Sequence, residues 1–150
     1  MLELFRFPEP PRTTIGVLLP GYKQVQPALI DTGADRCVLP YEEGKQLNLP
    51  PLVNNEEIVM LRAVPCVRRN VQIAIPLFND ECRLDIPFMW AQEPSHNGDQ
   101  MWDIILLGRD GFLDKIHLLD LYPIGFILFD SEGLSELVFV LQSYTQRTQF

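Results

Sequence analysis

The sequence predicts an all-β domain with one or two short helices, and three observations carry that prediction. Thirteen prolines in 150 residues cut the chain into short pieces and leave little room for long helices. The apolar runs are mostly four to eight residues long, which is the length of strands. Two of them alternate. Val71, Ile73, Ile75 and Leu77 interleave with Gln72, Ala74 and Pro76, and Leu84, Ile86, Phe88 and Trp90 share one face, the period of two of a half-buried strand.

Taken in order, residues 14–19 predict a strand ended by the turn dipeptide Pro20-Gly21. Residues 25–31 predict the next, with Pro27 marking an irregular or edge stretch at its start. Val38 and Leu39 form a brief strand. Pro40 then suits a first helical turn with Glu42 and Glu43 near its positive end, giving a short helix over 40–47 that Gly44 weakens. Residues 56–61 and 67–77 predict two strands joined around Ala63-Val64-Pro65, and 82–90 predicts another. Residues 91–100 carry Pro, Ser, Asn, Gly and Asp and read as a loop. A short buried strand at 103–107 precedes one or two helical turns over 108–114. Strands at 116–121 and 125–130 flank Tyr122-Pro123, residues 137–141 read as a further strand, and 142–150 as a loose polar tail. With no linker or low-complexity segment, the chain reads as a single domain over 1–150 with its core at about 14–130.

Composition narrows the function. A hydrophobic content of 47% indicates a packed core, and a formal net charge of -8 argues against a nucleic-acid partner. The basic cluster Arg62, Arg68 and Arg69 reads as solvating a hairpin. No apolar run approaches the ~20 residues that cross a bilayer, so no membrane partner is expected. The first twenty residues lack the pattern of a secretory signal. Cys37, Cys66 and Cys82 are odd in number and read as reduced, space-filling thiols of a cytoplasmic protein. His96 and His117 are too far apart in sequence to argue a zinc site, and His117 reads as solvent-facing. There is no phosphate-binding glycine loop, and Glu42, Glu43, Glu56 and Glu57 read as solvated charges, so neither metal nor cofactor is expected. Trp90 and Trp102 read as core.

The residues that carry chemistry are Asp31-Thr32-Gly33-Ala34-Asp35, entered through Ala28-Leu29-Ile30 and left through Val38-Leu39-Pro40. A carboxylate at the end of a buried strand is costly unless its surroundings are arranged for it, which makes Asp31 a candidate site. The residues after it are small enough for a second backbone to approach. An echo follows at Ile104-Ile105-Leu106-Leu107-Gly108, also an apolar strand ending in glycine, so the chain reads as a pseudo-duplication in which the first copy alone keeps an acid.

Residues 28–40 resemble the active-site segment of the retroviral-type aspartic proteases, the retropepsins, and Ile104 through Asp110, with Gly108-Arg109-Asp110, resembles their second signature. The similarity runs over about 14–130 and favours the cellular and bacterial branch. It implies a retropepsin-like acid-protease half-barrel, and an aspartic endopeptidase active as a homodimer on an extended peptide. Hydrolysing an amide without metal or covalent nucleophile requires a base for water and an acid for the carbonyl oxygen. Two adjacent carboxylates sharing a proton supply both. The motif occurs once in the chain, so the second Asp31 comes from a partner across a two-fold axis. By the same resemblance Thr32 and Gly33 support the dyad loop. Asp35 and Arg109 form a structural ion pair, and Leu106, Leu107 and Gly108 form an apolar loop beneath the site. The hairpin between 56 and 77 falls where the family has its flap. Its tip, Arg62, Ala63, Val64 and Pro65, departs from the glycine-rich pattern, since no glycine lies between Gly44 and Gly98. That departure keeps a rival reading in play, a non-catalytic peptide-binding or dimerisation module on the same fold.

Overall fold

The computed structural model describes residues 1–94 and 103–148. In chain order the elements are β1 (Leu2–Arg6), β2 (Thr14–Val17), β3 (Gln26–Ile30), β4 (Val38–Leu39), α1 (Tyr41–Gln46), β5 (Val59–Leu61), β6 (Val64–Pro76), β7 (Glu81–Ala91), β8 (Ile105–Leu107), β9 (His117–Leu121), β10 (Gly125–Phe129) and α2 (Ser131–Thr148). The protein is mostly β, as its proline spacing and alternating runs predict. Trp102, His96 and most of the 91–100 loop lie outside the described residues.

Seven strands form one sheet in the order β2-β3-β8-β4-β7-β6-β5. Its backbone is the long β6–β7 hairpin, antiparallel from Cys66↔Ala91 to Pro76↔Glu81. Along it Val71, Ile73 and Ile75 from one strand and Ile86 and Phe88 from the other point into the main core, which the alternation requires. The sheet rolls but does not close. The chain just past β2 returns to β6 through a single bridge, with the Leu18 amide donating to the Ala74 carbonyl at 2.8 Å and the Ala74 amide to Leu18 at 3.0 Å. The half-barrel implied by the resemblance is present, as an open, rolled sheet.

Pro27 sits where β3 pairs only with β2, opposite Gly16. The β8 ladder begins one residue later, at Ala28↔Ile105, so the missing proline N–H breaks no bond there. Gly44 weakens α1 for a reason visible in the packing. A Cβ at that position would lie 2.0 Å from the Trp90 indole nitrogen, and that nitrogen donates to the Tyr41 carbonyl at 3.1 Å. The glycine lets the helix seat on a buried tryptophan.

A second sheet, β1-β10-β9, was only partly foreseen. β1 lies before the expected core, and its register Phe5↔Phe126 stacks the two rings 5.5 Å apart. The C-terminus departs most from expectation. Residues 137–141 are helical rather than a strand, and 142–148 continue the helix rather than trailing as a loose tail. The cause is local: Asp130 caps the helix, its Oδ1 accepting the Gly133 amide at 2.8 Å and its carbonyl the Leu134 amide at 2.8 Å. Residues 108–114 form successive turns, not a helix.

Two charge assignments also change. Glu43 accepts the Tyr22 hydroxyl. Glu56 is not a free solvated charge. It is bound by the Arg69 guanidinium, which also donates to the Pro50 carbonyl at 2.8 Å and the Pro51 carbonyl at 3.0 Å. Arg69 thus ties the chain before β5 onto β6 instead of merely solvating a hairpin. The arginine, joined by the Val53 amide, holds the Glu56 carboxyl below its ordinary value of 4.5. A carboxylate lowered in the folded state adds stability above its unfolded value and loses it as pH falls through the folded one. Glu56→Gln is expected to flatten the acid side of a plot of urea midpoint against pH below about 4.5 and to leave the slope near pH 7 unchanged. An identical acid limb in both proteins would refute this.

Candidate active site

β3 delivers Asp31 to the end of a strand that is fixed from both sides. The Ile30 amide donates to the Thr13 carbonyl at 2.8 Å, the Thr13 hydroxyl to the Ile30 carbonyl at 2.7 Å, and the Asp31 amide to the Leu107 carbonyl at 3.0 Å. The chain then turns, with the Ala34 amide donating to the Asp31 carbonyl at 3.1 Å. The side chain takes part: Asp31 Oδ1 accepts the Gly33 amide at 2.9 Å. The carboxylate is half-buried in the single chain, not enclosed, and Thr32 and Gly33 beside it are exposed.

The two echoing segments lie side by side. β3 and β8 run parallel and in register, Ala28↔Ile105, Leu29↔Leu106 and Ile30↔Leu107. Beyond the strands the pairing continues, the Arg109 amide donating to the Ala34 carbonyl and the Asp110 amide to the Asp35 carbonyl, each at 2.9 Å. Leu106 and Leu107 are thus strand residues beside the Asp31 turn and face opposite sides. Leu107 enters the main core, and Leu106 joins a smaller cluster with Val38, Cys66, Met89 and Ala91. Gly108 marks the crossing point. A Cβ there would lie 2.4 Å from the Arg36 carbonyl oxygen and 2.7 Å from that of Ala34, closer than any side chain permits.

Arg109 braces the turn through its backbone rather than its acid. Its Nε donates to the Thr32 carbonyl at 2.9 Å. Its nearest approach to Asp35 is 3.8 Å by one nitrogen, with side chains 65% and 87% exposed, so the contact is not a bidentate fork and contributes little in water.

β5 and β6 form a hairpin over this turn, Leu61 pairing with Val64 around the two-residue tip Arg62-Ala63. Both tip residues have positive φ, 49° and 65°, as tight hairpin turns demand. Between tip and turn lies an open cleft of about 360 Å³, lined by Asp31, Gly33, Ala34, Met60, Arg62 and Leu106 among others. Of the four expected tip residues, Arg62 lines the Asp31 cleft, Ala63 completes the turn, and Val64 and Pro65 begin β6.

By structure the chain is similar to a retropepsin-like aspartic protease from Rickettsia conorii, at 14% identity over 87% of this chain and 93% of that chain, with a TM-score of 0.56. This chain has the retropepsin-like fold. EIAV protease complexed with the inhibitor HBY-793 aligns at 19% identity over 65% of this chain and 82% of that chain, with a TM-score of 0.39. No family model and no curated protein sequence matches.

The sequence does not single out Cys37 or Met60 as part of this site. The sequence reads Cys37 as a space-filling thiol, yet its sulfur accepts the Gly108 amide at 3.3 Å and its thiol lies 3.4 Å from the Asp110 carbonyl. Burial pushes the thiol up to about 11, so it stays protonated and can serve as both donor and acceptor across the two motifs.

The hairpin tip invites a direct test. A non-glycine residue with positive φ costs roughly 1 kcal/mol, partly offset by glycine's greater freedom when unfolded. Ala63→Gly is expected to stabilise the protein by about 0.5 kcal/mol, read as a raised urea midpoint. A lowered midpoint would show that Ala63 makes compensating contacts.

Proposed function

We propose that this protein is an aspartic endopeptidase that hydrolyses peptide bonds as a homodimer, with one Asp31 from each chain. The observation that carries the reading is the Asp31 turn itself: a half-buried carboxylate, fixed by three backbone hydrogen bonds around it, opening on a cleft under a hairpin. Gly33 lends support. A Cβ there would meet only the Asp31 carboxylate, at 3.3 Å, so the chain's own fold does not demand glycine at that place. A second backbone arriving from outside, a partner loop or a peptide, would.

In this reading the ionised member of the Asp31 pair removes a proton from water as the water oxygen attacks the peptide carbonyl carbon. The protonated member gives its proton to the carbonyl oxygen. Collapse of the resulting diol returns a proton to the nitrogen as the C–N bond breaks, releasing a carboxylic acid and an amine. Thr32 would join the two turns across the axis, and Gly33 would offer its carbonyl to an extended substrate. The Arg62-Ala63 tip would lower over the peptide and exclude water. Among the described residues no cluster of metal-ligating side chains and no membrane-crossing helix occurs. The three free thiols support a reducing, cytoplasmic setting.

The test is incubation with a peptide library in ¹⁸O-labelled water, with products read by mass spectrometry. The expected result is internal cleavage that places the label in the new carboxyl terminus and is blocked by a statine-type mimic of the diol. Peptide binding without cleavage, at concentrations where the protein is dimeric, would establish the non-catalytic module instead.

A further inference from the structure

The C-terminal helix is built like an interior element but stands outside. Residues 137–141 are five consecutive apolar residues, more than one full turn, so the middle of α2 is apolar all round while its two ends are mostly polar. No charged residue occurs from 137 to 146. A turn of this kind is normally covered. Yet within the described residues Gly133 is the one buried position of α2, where the first turn meets the Met1 carbonyl and Phe129. Phe139 is 70% exposed and Val140 58%.

The same chain carries a partly uncovered sheet face, closed at one end where Phe129 lies under the first turn of α2. In β1-β10-β9 the pairs Leu4↔Ile127 and Ile127↔Leu119 set three aliphatic side chains in a row across the strands. Phe126 and Leu128, on the opposite face, fill the core. Leu4 is 50% exposed and Leu119 40%. An apolar sheet face is normally covered by a helix or a second sheet. Three strands span about 10 Å, the width of one helix.

We propose that each unpartnered element completes the other in a second copy of this chain: α2 of one protomer lies across the β1-β10-β9 face of its partner, and reciprocally. The arrangement is isologous and closes on a two-fold axis. The area suffices. Leu134, Val138, Val140, Leu141 and Tyr144 share one side of the helix, their exposed parts amount to roughly 500 Å² per chain, and the sheet face brings this to roughly 700 Å², toward the lower end of what each partner of a specific dimer buries. The absence of charge over ten helical residues matches the core of an interface. It fits a lipid surface poorly, since membrane-surface helices carry lysine and arginine on their polar face and the chain is strongly acidic. The proposal rests on the homodimer reading above and names the surface that would hold the second copy.

The test measures self-association by sedimentation for the wild type, Val140→Asp on the helix and Leu119→Asp on the sheet face, two exposed positions remote in sequence. A dimeric wild type is expected, with the dissociation constant raised at least 100-fold by either variant and circular dichroism unchanged. A dimer that survives both substitutions overturns the surface. If that dimer also cleaves peptides, the Asp31 reading stands without it. A dimer that Val140→Asp dissolves but that cleaves nothing supports the surface and overturns the hydrolytic reading. A wild type monomeric at all concentrations overturns both. Loss of binding to neutral or anionic vesicles in Val140→Asp, with the dimer intact, assigns α2 to lipid and also overturns the surface.

Discussion

Asp31→Asn is expected to lower kcat for peptide hydrolysis by about 10³-fold or more, the scale of removing general acid–base assistance, while the dimer and the fold persist. The structure says why the fold should persist. The side chain is half-buried rather than enclosed, and asparagine keeps an Oδ1 that can accept the Gly33 amide now held at 2.9 Å. What it cannot do is take a proton from water or share one with its counterpart. The neighbouring Asp35 is the control. It is 87% exposed and 3.8 Å from Arg109, so Asp35→Asn should change stability by less than about 1 kcal/mol and leave kcat within a few-fold. The two substitutions make the same chemical change four residues apart in one motif. Equal effects at the two positions would sink the proposal that Asp31 touches the reacting atoms.

The largest effect on stability is expected at Gly108. An alanine methyl group there must displace backbone, not a movable side-chain end, because it would fall 2.4 Å from the Arg36 carbonyl and 2.7 Å from that of Ala34. Gly108→Ala should cost about 3 kcal/mol, a fall in Tm of roughly 6–12 °C for a domain of this size. The same shift would loosen the Arg109–Ala34 and Asp110–Asp35 backbone bonds that fix the Asp31 turn. Activity should therefore decline even at temperatures where the variant is folded. Gly33→Ala offers the contrast. It should lower Tm far less than Gly108→Ala does, because its methyl would meet a single side-chain atom, Asp31 Oδ1 at 3.3 Å, and should reduce activity if a second backbone approaches that turn. Differential scanning calorimetry paired with a cleavage assay reads both.

The parts of this protein legible in its sequence were those with a short period or a rigid residue. The β6–β7 hairpin announced itself by alternation, and both strands run within two or three residues of where Val71 and Leu84 place them. The pairing of 28–30 with 105–107 was legible as an echo, though not as a parallel neighbour relation, because nothing local encodes which strands meet. α2 was misread for a physical reason. Its apolar residues run together without polar interruption, so they fit a buried strand as well as a buried helix, and the cap on Asp130 was the deciding signal. β1 was passed over because Glu3 and Arg6 break its apolar run and its partner lies at the other end of the chain. At the site, the identities of Asp31, Gly33 and Gly108 carried their positions. The Arg109 contact with Thr32 and the Cys37 stitch depend on three-dimensional placement alone and were not readable.

The parallel seam between β3 and β8 also bears on how the molecule is made. Asp31 owes its amide bond to Leu107, and its turn is clasped by Arg109 and Asp110, more than seventy residues further along. Closing so long a loop is slow compared with forming a local hairpin. During translation, a nascent polypeptide that has already exposed Asp31 lacks the strand that orients it until residues 105–107 have also been made. On the proposed function, ribosome-bound chains halted before residue 105 should consequently be inert.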